Sequence, residues 1–233
     1  MIKASVLNPS WSRIVHRLHS LGVVEARYTN AIAQITEVGK YPRHITSSLE
    51  DKSESIDGST LWNFLNWQHG WVTQPKSPLG LGTEFAFLSS KHALFHSIRL
   101  LENQQDDCLR CLLQLFARAE PNHTKEKASP QATPPIPVQS LAHICELTLN
   151  RANQKSGFSI DLFTEGGIVS KRLKAADLTL NPDRVTLHCY HNTQIDLHPH
   201  SISYHQSIKR GSELHTTFYN PNHLPQACLK LVA

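Results

Sequence analysis

Histidine supplies most of the chemistry that this chain could carry. There are fifteen in 233 residues, and seven of them (His188, His191, His198, His200, His205, His215 and His223) crowd toward the C-terminal end. A neutral imidazole is the commonest metal ligand, and alternate residues of a strand project to one side. His198 and His200, with His188, Cys189, His191 and His205, could therefore hold zinc or copper, and an exposed histidine-rich surface is the plainer reading. One histidine stands apart. In SLAHICELTLNR, residues 140 to 151, the spacing of Leu141, Ile144, Cys145, Thr148 and Ala152 predicts one stripe of a helix, with His143 projecting away from it beside Glu146 and Asn150. With Ser140 as N-cap, His143 falls in the first turn, where an ordinary solvent-exposed histidine is the plain reading and a ligand role stays open.

Other constellations are weaker. Cys108-Leu-Arg-Cys111 has redox or zinc spacing, yet it sits in a helical pattern with Leu109, Leu112 and Leu113 and no second pair follows, so it reads as two core cysteines. Trp62, Phe64, Trp67 and Trp71 read as core or sheet-covering aromatics. The sequence contains no glycine-rich phosphate loop, nucleophile elbow or HExxH, so catalysis without a cofactor has no support.

Composition narrows the class. An apolar content of 39% suits an ordinary folded core, and the net charge of +4 is spread without a basic run, which argues against nucleic acid. No run approaches the roughly 20 apolar residues of a membrane-spanning helix, and MIKASVLNPSWSR lacks the apolar centre of a signal peptide. The expectation is a cytoplasmic protein without membrane insertion. Five cysteines, an odd number without an export signal, read as reduced and mostly buried thiols.

The elements that would position these residues fall on either side of EPNHTKEKASPQATPPIPVQ, residues 120–139, whose five prolines suit an extended linker. Before it, Trp11, Ile14, Val15, Leu18 and Leu21 recur at helical spacing, with Ser10 or Ser12 as cap and Gly22 as stop. Strands are expected between Val23 and Glu50, a hairpin in TEFAFLSSKHALFHSIRL, and an acid-capped helix in DDCLRCLLQLFARA. The second half repeats this order in shorter form: NTQIDLHPHSISYHQSIK lies opposite STLWNFLNWQHGWVTQ, and HTTFYNPNHLPQACLKLV opposite the hairpin. The reading is an α+β protein of two similar antiparallel β-sheet units with flanking helices. The sheets would stack about a pseudo-twofold axis, with the helix at 140 to 151 between them. The boundaries are 1–119 for the first repeat, 120–139 for the linker, and 140–233 for the histidine-bearing helix and a shortened second repeat.

Several of these segments, in this order, carry a family resemblance. VHRLHSLGVVEARYTN followed by EVGKYP, LWNFLNWQHGWVT, DDCLRCLLQLF, SLAHICELTLNRAN and HSISYHQSIKRG resemble segments of the HemS-like hemin-degrading and hemin-transport proteins of Gram-negative bacteria. The resemblance implies a heme-binding protein of heme uptake and iron acquisition. It passes heme to a downstream acceptor, such as a heme oxygenase or an inner-membrane heme transporter, with oxygenase-like ring cleavage as the alternative activity. His143 falls on the family's axial heme histidine, and a neutral imidazole on the outward face of a helix can reach heme iron.

The same resemblance assigns the remaining sites and exposes departures. The family's propionate-binding pair corresponds to Lys209 and Arg210, in reversed order. Its distal arginine is replaced by Thr29, with Arg27 as the nearest substitute on the same side of a strand. Its C-terminal Gln-x-Tyr-x-x-Arg cluster becomes Cys228, Lys230 and Ala233, leaving Lys230 as a propionate partner. Helices that follow the histidine helix in the family are missing, and Lys155 takes their basic role. A carrier needs one axial ligand and an open pocket, whereas ring cleavage needs a controlled distal side, so the departures favour binding and delivery.

Overall fold

The computed structural model describes residues 3–46, 52–74, 82–101, 106–119, 141–146 and 157–232. The expected linker over 120–139 lies outside the described residues, as do Lys155, Ala233 and the last part of the helix expected over 140–151.

Strand β1 (Lys3–Leu7) leads to helix α1 (Trp11–Leu18), which buries Trp11, Ile14, Val15 and Leu18, the stripe that the spacing predicts. Ser10 holds the N-cap position without a side-chain bond, and Gly22 ends the turn at a φ of 84° that favours glycine. Strand β2 (Val23–Thr29) alternates, with Val24, Ala26 and Tyr28 buried while Glu25, Arg27 and Thr29 lie half-buried on the other side. Strands β3 (Ala33–Lys40), β4 (His44–Thr46), β5 (Lys52–Ser55) and β6 (Thr60–Asn63) follow, then a 3-10 turn at Phe64–Asn66 and β7 (Trp67–Gln74). The expected hairpin is β8 (Glu84–Ser89) and β9 (Leu94–Leu100), and the expected acid-capped helix is α2 (Asp106–Phe116), followed by β10 (Ala117–Ala119).

Residues 141–146 are helical (α3). Beyond them come β11 (Phe158–Thr164), β12 (Gly167–Leu173), β13 (Ala175–Asn181), β14 (Arg184–Cys189) and β15 (Thr193–Leu197). A 3-10 turn at Pro199–Ser201 then leads into β16 (Tyr204–Arg210), β17 (Glu213–Tyr219) and β18 (Pro225–Val232).

The chain divides into two compact units. Residues 1–27, 38–130 and 165–167 make the first, and residues 28–37, 131–164 and 168–233 the second. In the first, neighbouring strands run β10-β1-β7-β8-β9-β2, with a β4-β5-β6 meander. In the second they run β16-β17-β18-β11-β12, and the β13-β14-β15 meander continues onto the part of β3 that belongs to this unit. The internal repeat is thus real at the level of elements. The order α1, β2 to β6, 3-10 turn, β7 to β9 recurs as α3, β11 to β15, 3-10 turn, β16 to β18. The hydrogen-bonded run β7-β8-β9-β2 recurs as β16-β17-β18-β11. Among the described residues β1, α2 and β10 have no second copy.

The units depart from a division at the linker in two short exchanges, of 28–37 and of 165–167. Asn30 anchors the first exchange. Its Oδ1 accepts from the N–H groups of Ile32 and Ala33 at 2.9 Å each, and its Nδ2 donates to the carbonyls of Phe163 at 2.9 Å and Gln226 at 2.7 Å. Farther along the same segment, the Lys171 ammonium lies 2.9 Å from the Glu37 carboxylate and over the Tyr28 ring. In the second exchange, the Gly166 carbonyl accepts from the Asn63 N–H at 2.9 Å and from the Trp67 indole N–H at 3.0 Å.

The first unit's core is aromatic, as expected: Trp62, Phe64 and Trp67 are buried, while Trp71 is half-buried. The expectation that Cys108 and Cys111 are both core residues is corrected. Helix α2 buries Leu109, Leu112 and Phe116, and Cys111 lies two residues from Leu109, about 200° around the helix, so it is exposed, with Cys108 half-buried at the margin.

Candidate functional site

The site starts from α3. Leu141, Ala142 and Cys145 are buried, whereas His143 and Glu146 are exposed. His143 makes no hydrogen bond or ion pair among the described residues, so its imidazole is free to accept an external partner. The opposite side of the same turn is inert: burial, reinforced by the Glu146 carboxylate, pushes the Cys145 thiol up to about 12.

The cations assigned by resemblance sit differently. Lys209 and Arg210 end β16 just before a turn at Gly211, whose φ of 60° favours glycine. Both are exposed and neither has an ion pair among the described residues. As consecutive strand residues they project to opposite faces. The register places Arg210 opposite Glu213, Lys209 opposite Leu214, and His215 opposite Lys230, so Arg210, His215 and Lys230 share one face of the sheet. Lys230 is already engaged, because its ammonium pairs with the Asp161 carboxylate. His215 Nε2 lies 2.8 Å from Glu213 Oε2, and the Thr217 hydroxyl donates to the Cys228 thiol across the same face.

Arg27 belongs to the first unit, where its guanidinium pairs with Glu25 two residues back on the strand. Thr29, at the position of the family's distal arginine, turns its hydroxyl to the backbone carbonyls of Asn30 and Ala33 at 3.3 and 3.5 Å. Of the assigned residues, then, His143, Lys209, Arg210 and Lys230 lie in one unit and Arg27 in the other, and Lys155 lies outside the described residues.

Sequence reasoning missed four features. The Asp161–Lys230 pair and the stack of Tyr204 on Tyr219, with centroids 4.6 Å apart, need a known register, whereas Glu213 and His215 pair as alternate residues of one strand. His96 was also passed over. It is wholly buried, with Nε2 3.0 Å from the Tyr41 hydroxyl and Nδ1 2.9 Å from the Arg27 carbonyl, and both nitrogens are therefore committed to structure. The C-terminal histidines do not converge. His188 bonds Thr179, His191 occupies a turn, and His205 packs beside Phe218. Among the described residues no three His, Cys, Asp or Glu side chains lie close enough to hold a metal ion. Nor is any described helix long and apolar enough to cross a membrane.

No family model matches this chain, and no curated protein sequence matches it. The fold itself is of a known class, the HemS-like arrangement of two antiparallel sheets with few helices. Among solved structures, it is similar to holo-PhuS, a heme-binding protein from Pseudomonas aeruginosa, with a TM-score of 0.77 and 12% identity over 99% of this chain and 82% of that one. It is similar also to ChuS, the heme degrading enzyme of Escherichia coli O157:H7, at 0.71 and 11% identity over 98% of this chain and 81% of that one. A further ChuS structure, described as an E. coli heme oxygenase, gives 0.70 and 11% over 98% and 83%. At these identities the likeness is one of fold.

Proposed function

We propose that this protein binds heme and delivers it, with His143 as the axial ligand. The observation that carries the reading is an exposed imidazole, without a partner among the described residues, on a helix whose other face is buried, in a fold shared with a heme-binding protein. Heme supplies an iron that takes an imidazole axially. The chain's own part is to present that imidazole and to offer cations to two propionates. Lys209 and Arg210 suit the second task because no carboxylate among the described residues pairs with them. Lys230 would have to be drawn from Asp161 and Arg27 from Glu25, so they rank behind; Lys155 is assigned by resemblance alone.

Delivery is favoured over ring cleavage by the distal residues. Thr29 spends its hydroxyl on backbone carbonyls and the Arg27 guanidinium is paired with Glu25, so neither would be free to supply the controlled distal side that ring cleavage needs.

Titration with hemin tests both points. The wild type is expected to give a saturable Soret shift. His143→Ala should alter that spectrum while moving stability by no more than about 0.5 kcal/mol, since the side chain is exposed. Lys209→Ala with Arg210→Ala should weaken affinity and leave the axial spectrum unchanged. An unaltered spectrum in His143→Ala would sink the ligand assignment. Catalase-insensitive loss of bound heme with a reductant would instead make the protein a heme-degrading enzyme.

A further inference from the structure

The internal repeat exposes a difference between the two units that heme binding does not explain. In the first, β7 is flanked on both sides, by β8 and by β1, with Ser5 opposite Val72 and Val6 opposite Trp71. Its counterpart in the second unit, β16, pairs with β17 on one side and is terminal in its sheet among the described residues. Every residue of β16 is exposed, whereas β7 buries Trp67, Gly70 and Val72.

The sequence at the matching offset differs from that of β1. Strand β1 spans residues 3–7 ahead of a helix that begins at Trp11, and the same offset from Leu141 falls on residues 133–137. Those positions read Thr-Pro-Pro-Ile-Pro. Pro134, Pro135 and Pro137 have no N–H to give to a ladder, a composition unlike that of β1. Among the described residues, no strand pairs with the outward N–H and C=O groups of this seven-residue edge.

We propose that β16 pairs edge to edge with β16 of a second copy of this chain, antiparallel and centred on Ser207. The strand reads Tyr-His-Gln-Ser-Ile-Lys-Arg, and its ends are complementary under this register. Arg210 falls opposite Tyr204 of the other copy, Lys209 opposite His205, Ile208 opposite Gln206, and Ser207 opposite itself. Parallel pairing in register would instead set Lys209 and Arg210 against their own copies, which like charges disfavour. Tyr204 is held in place where a cation would meet it: its ring stacks on Tyr219 with only 6° between the planes, and its hydroxyl lies 3.3 Å from His223 Nδ1.

Sedimentation velocity on the hemin-free protein, over a wide concentration range, tests this. The wild type and Ser207→Ala are expected to form a concentration-dependent dimer, the alanine variant showing that losing the hydroxyl bond to Thr216 is harmless. Ser207→Lys and Ser207→Glu should each weaken self-association by about tenfold or more, because each sets like charges face to face at the twofold axis. An equal mixture of the lysine and glutamate variants should restore the dimer to at least the wild-type affinity. A wild type that stays monomeric at every concentration overturns the proposal, as does undiminished association of both charged variants or a mixture that fails to recover. In the last case the edge serves a different partner.

Discussion

Asn30 concentrates four hydrogen bonds in one side chain: two backbone amides of its own turn and the carbonyls of Phe163 and Gln226. Asn30→Ala leaves all four backbone groups short of a partner, and a loss of about 2–3 kcal/mol is expected in urea unfolding. Asn30→Asp separates the two halves of the role, because it keeps the acceptor for Ile32 and Ala33 but sets a carboxylate against two carbonyls. It should be no more stable than the alanine variant. The sequence showed nothing of this role for Asn30, since Phe163 and Gln226 lie far away along the chain. The same limit hid the pairing of Lys230 with Asp161, which register alone reveals. His143 was legible for the opposite reason. Which side of a helix a residue takes is a local property, and the periodicity of Leu141, Cys145 and their neighbours settles it.

At the scale of elements, the turn between β11 and β12 is the tightest fit. A Cβ on Gly166 would lie 2.1 Å from the Phe95 ring, while the Gly166 carbonyl is already held by Asn63 and Trp67. The turn can neither move away nor admit a methyl group. Gly166→Ala should cost about 1–3 kcal/mol, and Gly39→Ala, where a Cβ meets nothing within 4 Å, should stay within about 0.5 kcal/mol; thermal melts of the two variants side by side check the contrast. Helix α1, the β8-β9 hairpin and α2 could be read from periodicity because each encodes its own buried stripe. The CxxC in α2 misled because a cysteine beside leucines looks apolar, although its angle on the helix sends Cys111 to solvent.

For the whole molecule, two buried thiols couple stability to alkaline pH. Burial pushes Cys145 and Cys189 up to about 12 from an ordinary 9.0. Above pH about 9 the unfolded chain gives up these protons while the folded one keeps them, so the native state holds more protons and stability falls as pH rises toward 12. Replacing Cys189 with Ala should flatten part of that decline, measured as the urea midpoint at pH about 8 and about 10.5. The duplication itself was visible in the sequence as a repeated order of strands and turns, because each copy retains its own alternation. The exchanges at 28–37 and 165–167 were not visible, because they depend on which unit a segment joins, and nothing local records that.

The second exchange bears on how the protein is made. Synthesis is vectorial, and residues 1–119 emerge well before Gly166 does. Until that glycine arrives, the Trp67 indole N–H and the Asn63 amide lack the carbonyl that receives them in the finished unit. The half translated first therefore cannot be completed until part of the second half has been made. It has to wait, with part of an aromatic core unfinished, for a hairpin turn encoded beyond the proline-rich tether.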